Sequence, residues 1–213
     1  MKQKLFFLSL LITVTLLVNA QEKPSKELHL YASLGVKPLQ QKTFFFDQDV
    51  SPALATTVGA GSLLQRGKFQ YGVEFFYAKG QKHTGDLHAD YSGLNSQFLV
   101  GYRFQLDESW RLSLQSGFGF SLNHLYVTNE SHQSASRFNT VVFHNNNYHL
   151  PAAVFLQKLA PNGTFIGLKA GYNIVLKANH WEFREGGNAH QFHSPSESWS
   201  VQLNLGGLLN LKP

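Results

Sequence analysis

The sequence predicts an all-β fold: an eight-stranded antiparallel up-and-down transmembrane β-barrel with short periplasmic turns and long extracellular loops. Three observations predict it. Eight stretches alternate apolar and polar residues, as strands with one face in lipid must. The connections between them run long, short, long, short, long, short, long. The chain also opens with the pattern of a removable export signal.

Residues Met1 to Ala20 form that signal. Lys2 and Lys4 give a positive start, Leu5 to Val18 an apolar run, and Val18-Asn19-Ala20 a small-residue cleavage site. An apolar run of about 14 residues is short for a membrane-spanning helix, which needs ~20. Residues 21–213 are then a single outer-membrane barrel domain, and losing the two lysines lowers the formal charge from +5 to about +3.

Taken in order, the first strand, Glu27 to Val36, sets Leu28, Leu30, Ala32, Leu34 and Val36 against His29, Tyr31, Ser33 and Gly35. The second, Ala53 to Leu64, alternates Leu54, Val58 and Leu64 with Ala55, Thr57, Gly59 and Gly61. In the third, Phe69, Tyr71, Val73, Phe75 and Tyr77 oppose Gln70, Gly72 and Glu74. Gly93 to Leu106 places Leu94, Phe98, Val100, Tyr102 and Phe104 opposite Asn95, Gln97, Gly101, Arg103 and Gln105. Trp110 to Tyr126 directs Leu112, Leu114, Phe118 and Phe120 outward and Arg111, Ser113, Gln115 and Gly117 inward. Asn147 to Leu159 has Tyr148, Leu150, Ala152, Val154 and Leu156 outward. Thr164 to Lys177 alternates Ile166, Leu168, Ala170 and Tyr172 with Gly167, Lys169 and Gly171. Last, Ser198 to Leu211 pairs outward Trp199, Val201, Leu203 and Leu205 with inward Ser200, Gln202 and Asn204. Each is long enough for a tilted strand, ~9–11 residues, to cross the hydrocarbon layer.

Three connections are tight and polar: Gln65-Arg66-Gly67-Lys68, Asp107-Glu108-Ser109 and Ala160-Pro161-Asn162-Gly163. The other four, 37–52, 79–92, 127–146 and 178–197, are expected as loops. Short turns belong to the periplasmic side, which puts both termini there. A soluble lipocalin-type barrel is the structural rival, but it lines its interior with apolar residues. Here the alternate face carries Glu74, Arg103, Arg111 and Lys169, a charge network suited to a plugged lumen in a barrel whose other face meets lipid.

Composition agrees. The chain has no cysteine, which excludes a lipid-anchored cysteine, a disulfide framework and thiolate chemistry. Barrel closure, which leaves no strand edge, supplies stability in their place. Eighteen glycines and 14% aromatic residues suit a narrow barrel with girdles at the lipid boundary. No Lys/Arg stripe points to nucleic acid.

The run Tyr148-His149-Leu150-Pro151-Ala152-Ala153-Val154-Phe155-Leu156-Gln157-Lys158, followed by Ile166-Gly167-Leu168-Lys169-Ala170-Gly171-Tyr172, resembles the small outer-membrane β-barrels of the PorT-like type, related in architecture to the OmpA transmembrane domain. The resemblance implies a cell-envelope protein of a Gram-negative outer membrane, inserted by the barrel-assembly machinery. The chain ends Leu209-Asn210-Leu211-Lys212-Pro213, without the final aromatic residue that such barrels often present to that machinery. Some relatives serve protein secretion, so an accessory secretion role is one implied reading.

An eight-stranded barrel is just wide enough for its own side chains, so an open porin is not expected. Glu74 is read as compensating Arg103 and Arg111 on neighbouring strands, with a gated proton or ion path as the functional rival. Histidines cluster in the expected loops: His83, His88, His132, His144, His180, His190 and His193, with His124 and His149 at adjoining strand ends. His83 with Asp86, His88 and Asp90, or His190 with His193, offers imidazole for zinc, copper or haem iron. None matches a defined metal motif, so solvated loops are preferred and no metal or cofactor is assigned. His132-Gln133-Ser134 and His193-Ser194 with Glu197 echo a lipid A hydrolase's residue types but not its strand-borne motif. The apolar run Thr43-Phe44-Phe45-Phe46-Asp47, with Trp181 and Phe183, either extends a strand or contacts lipopolysaccharide or a protein partner. The expected function is therefore structural or interactive, through the extracellular loops and without catalysis.

Overall fold

The computed structural model describes residues 26–39, 44–45, 48–49, 52–129, 140–178, 182–183 and 197–211. The expected signal segment 1–20 lies outside them, as do Phe46, His132, Ser134, His180, Trp181, His190, His193 and Ser194.

Eight long strands close on themselves: β1 Lys26–Pro38, β2 Leu54–Arg66, β3 Phe69–Thr84, β4 Leu87–Gln105, β5 Trp110–Asn129, β6 Thr140–Leu159, β7 Thr164–Ala178 and β8 Glu197–Leu211. Each pairs antiparallel with its sequence neighbour, and β1 pairs with β8 from Lys26 opposite Leu211 to Val36 opposite Val201. No barrel strand is left with an open edge, which removes the usual site of edge-to-edge aggregation. Among the described residues no helix is long and apolar enough to cross a membrane. Two-residue pairings join 44–45 to 48–49, and 182–183 to β6 at His144 and Phe143.

The outward face is apolar along the middle of every strand. Leu34, Val58, Phe75, Phe98, Phe118, Val154, Leu168 and Leu205 are all exposed, a surface that lipid stabilises and water does not. Aromatic contacts mark its turn-side border. Phe69 meets Tyr102 edge-on at 5.6 Å, and the Lys158 ammonium sits 5.6 Å from the Trp110 ring centroid.

Two expectations are corrected at the loop side. Residues 79–92 are not a loop, because β3 and β4 run through them as a hairpin to a two-residue turn, Gly85-Asp86. Gly85 supplies the positive φ, 57°, that such a turn needs. Likewise β5 continues to Asn129 and β6 begins at Thr140, taking up half of 127–146. Above the lipid-facing belt the polarity of the wall inverts. Leu87, Ala89, Tyr91, Leu125, Val127 and Phe143 point inward into one apolar cluster, while His88, Asp90, Ser92, His124 and Thr128 alternate with them on the other face. The upper wall is thus packed like a water-soluble barrel and the lower wall like a membrane one.

The wall is irregular at one place. The β5 to β6 ladder pairs Ser116 with Ala152 and resumes with Gly119 opposite His149, skipping Leu150 and Pro151. Proline has no N–H to donate, so an interruption falls there. On the other side of β6 the register slips between Tyr148 and His149, leaving Leu176 of β7 as the extra residue.

Candidate functional site

Strand parity brings the side chains of alternate residues into a narrow lumen, where they stack in layers. Nearest the turns, Glu27 of β1 accepts from two guanidiniums: Arg111 Nη1 at 2.8 Å and Arg103 Nη1 at 3.2 Å. His29 Nε2 lies 3.5 Å from the same carboxylate oxygen. Above this layer, Tyr31, Leu63, Leu99, Phe155 and Phe165 form a second apolar cluster.

The next layer is ionic. Lys169 Nζ donates to both oxygens of Glu74, at 2.7 and 2.6 Å, and both residues are buried. Tyr31 Oη and Gln97 Nε2 also donate to Glu74, so the carboxylate is held by three strands besides its own. Gly61 makes this possible. It stands opposite Tyr31 on one side and Glu74 on the other, and a Cβ there would lie 2.5 Å from Tyr31 Cζ. A small, partly open pocket of about 30 Å³ adjoins Lys169, bordered also by Lys37, Asn95, His149, Asn173 and Gln202.

The four expected interior charges all point inward, but their pairing differs from expectation. Glu74 bonds Lys169 across the barrel, while Arg103 and Arg111 share Glu27. Neighbouring strands place Glu74 beside Gln97 rather than beside an arginine, because the register sets Gly101 opposite Gln70 and puts Arg103 at the turn end. Glu27 was missed, although parity with His29 already assigned it to the inner face. His149 is likewise not at a loop border: it is a buried lumen residue.

Outside the barrel mouth, the β3 to β4 hairpin brings His83, His88 and Asp90 together. The imidazoles of His83 and His88 are 4.1 Å apart between centroids, and His88 Nε2 lies 2.8 Å from Asp90 Oδ2. Gln81 Nε2 donates to Asp90 Oδ1 at 2.7 Å. Partial burial acts to raise the Asp90 pKa, but the hydrogen bonds from Gln81 and His88 prevail and hold it below the usual carboxylate value. Asp86 occupies the turn itself. Among the described residues no group of three or more His, Cys, Asp or Glu surrounds a single metal position.

No family model matches the chain, and no curated protein matches it in sequence. Solved structures do match. A major outer membrane protein from Thermus thermophilus superimposes with a TM-score of 0.59 at 8% identity, covering 86% of this chain and 99% of that one. The outer membrane protein OprG from Pseudomonas aeruginosa gives 0.59 at 8% identity, over 90% and 99%. Neisserial surface protein A gives 0.51 at 11% identity, over 87% and 97%. The fold is therefore that of a small outer-membrane β-barrel, and the belt of exposed apolar side chains places the chain in that membrane.

Proposed function

We propose that this protein is a non-enzymatic outer-membrane barrel that displays its loop side for binding, and that it is not an open porin. The observation that carries the reading is the filled lumen. Two apolar clusters and the ionic layer between them occupy the interior, and the pocket beside Lys169 has a volume of about 30 Å³. A channel wide enough for hydrated solutes requires a polar, water-filled bore, which larger barrels provide. The lipid-facing belt meets lipid and lipopolysaccharide. The upper wall and loops are what remains accessible to a partner from outside, a secretion component among the candidates.

Two measurements test this. Purified protein in planar bilayers is expected to give no steady porin-like conductance, and large open-channel steps would overturn the filled-lumen reading. In cells, crosslinking follows shortening of 40–51, 130–139 or 179–196, or trimming the hairpin back to the Lys79 and Ser92 pair. Loss of a discrete crosslinked product with one such variant is the expected result. An unchanged product in all four would place recognition elsewhere.

A further inference from the structure

The hairpin beyond the belt holds a group that the barrel's stability does not explain. His83 and His88 stand directly opposite one another, six residues along the strands from the outward pair Tyr77 and Leu94. His88 Nδ1 lies 2.9 Å from His83 Nε2 and 3.1 Å from His83 Nδ1. In water one hydrogen bond between neutral rings adds little, and protonating both rings sets two like charges against each other.

The far side of His88 is built differently. Its Nε2 is engaged by Asp90, which Gln81 fixes in turn. A carboxylate on one imidazole nitrogen sets the tautomer and leaves the other nitrogen's lone pair free, which is the outer support that metal-bound histidines use. Distances narrow the metal. With metal-to-nitrogen bonds of about 2.0–2.1 Å, two nitrogens at right angles sit roughly 2.9 Å apart, and two at a tetrahedral angle roughly 3.3 Å. The 2.9 Å between His88 Nδ1 and His83 Nε2 matches the right-angled arrangement. That is the geometry of square-planar nitrogen and oxygen ligation, where copper(II) binds tightest of the common divalent ions.

We propose that His83 and His88 chelate a copper(II) ion on the outer face of the β3 to β4 hairpin, with Asp90 and Gln81 as the support that orients His88. Water completes the coordination, so the site is open. Two protein ligands suffice for such a chelate, consistent with the lack of a three-residue cluster among the described residues.

The test titrates untagged full-length protein in detergent with copper(II) chloride, read by electron paramagnetic resonance and equilibrium binding. Wild type, the double variant His83→Gln/His88→Gln, the single variant His83→Gln and Asp90→Asn are compared, each with its folded state checked by heat-dependent gel mobility. Ten histidines are present, so the difference between variants carries the result. Wild type is expected to bind one more copper than the double variant, with a spectrum of two imidazole nitrogens that falls to one in His83→Gln. Asp90→Asn is expected to weaken that copper about 10- to 100-fold. Equal stoichiometry and affinity in wild type and the double variant overturn the site. A one-nitrogen spectrum in wild type does the same, and unchanged affinity in Asp90→Asn overturns the supporting role of that carboxylate.

Discussion

Glu74 and Glu27 are carboxylates in the same lumen, held in opposite ways. Glu74 is 0% exposed and is matched by a single amine, with Tyr31 and Gln97 taking up its remaining capacity. Glu27 is 12% exposed and is shared by Arg103, Arg111 and His29, so its layer carries excess positive charge. Desolvation explains the contrast. A charge removed from water must be neutralised one for one and fully hydrogen-bonded, whereas the turn-side mouth lets solvent screen an imbalance. Depth in the barrel, rather than residue type, sets how strictly charge is balanced.

The strongest test breaks the deep pair. Lys169→Met leaves Glu74 buried and uncompensated and is expected to cost about 3–5 kcal/mol of stability, measured by urea unfolding in lipid vesicles. Adding Glu74→Gln in the same chain is expected to recover at least half of that loss. If the double variant is no better than the single, the two residues are not coupled and the contrast fails. At the mouth, Glu27→Gln keeps the acceptor but removes the charge, with an expected cost of about 1–2 kcal/mol in the same assay. A loss equal to that of Lys169→Met would erase the distinction between the layers.

A third carboxylate, outside the barrel, sharpens the lower end. Asp107 Oδ1 accepts from Trp110 N and Ser109 N, both at 2.7 Å, and these bonds hold its pKa below the ordinary 3.8. Because the folded pKa is depressed, its contribution is complete above the ordinary carboxylate range and is lost as pH falls through the lower folded value. Asp107→Asn preserves an acceptor without the titration. Wild type is expected to be slightly the more stable near neutrality and to lose that margin as pH falls through the depressed folded value, as shown by unfolding midpoints. A margin independent of pH would remove the titration account.

The sequence exposed the lower wall plainly, because lipid imposes one requirement on every outward position and eight strands meet it with period two. It hid the upper wall for the converse reason. Past Tyr77 the outward residues are Lys79, Gln81 and His83, and past Leu94 the apolar side chains Tyr91, Ala89 and Leu87 turn inward. A pattern that reverses polarity midway reads as a break, so 79–92 resembled a loop. The lumen was half legible. Parity named which residues point inward, including Glu74, Arg103, Arg111 and Lys169. Which of them touch depends on register and on reach across the bore, and a single chain's alternation carries neither. Spacing grouped His83 with His88, but their direct cross-strand pairing follows from the hairpin's register.

The inverted upper wall also has a height. β3 continues seven residues from Tyr77 to Thr84. At roughly 3.3 Å per residue and a tilt of roughly 40°, that segment rises roughly 18 Å, well beyond a headgroup layer of roughly 6 Å. The hairpin therefore stands as a ridge above the headgroups, and anything arriving from solution at this flank strikes the histidines before it reaches lipid.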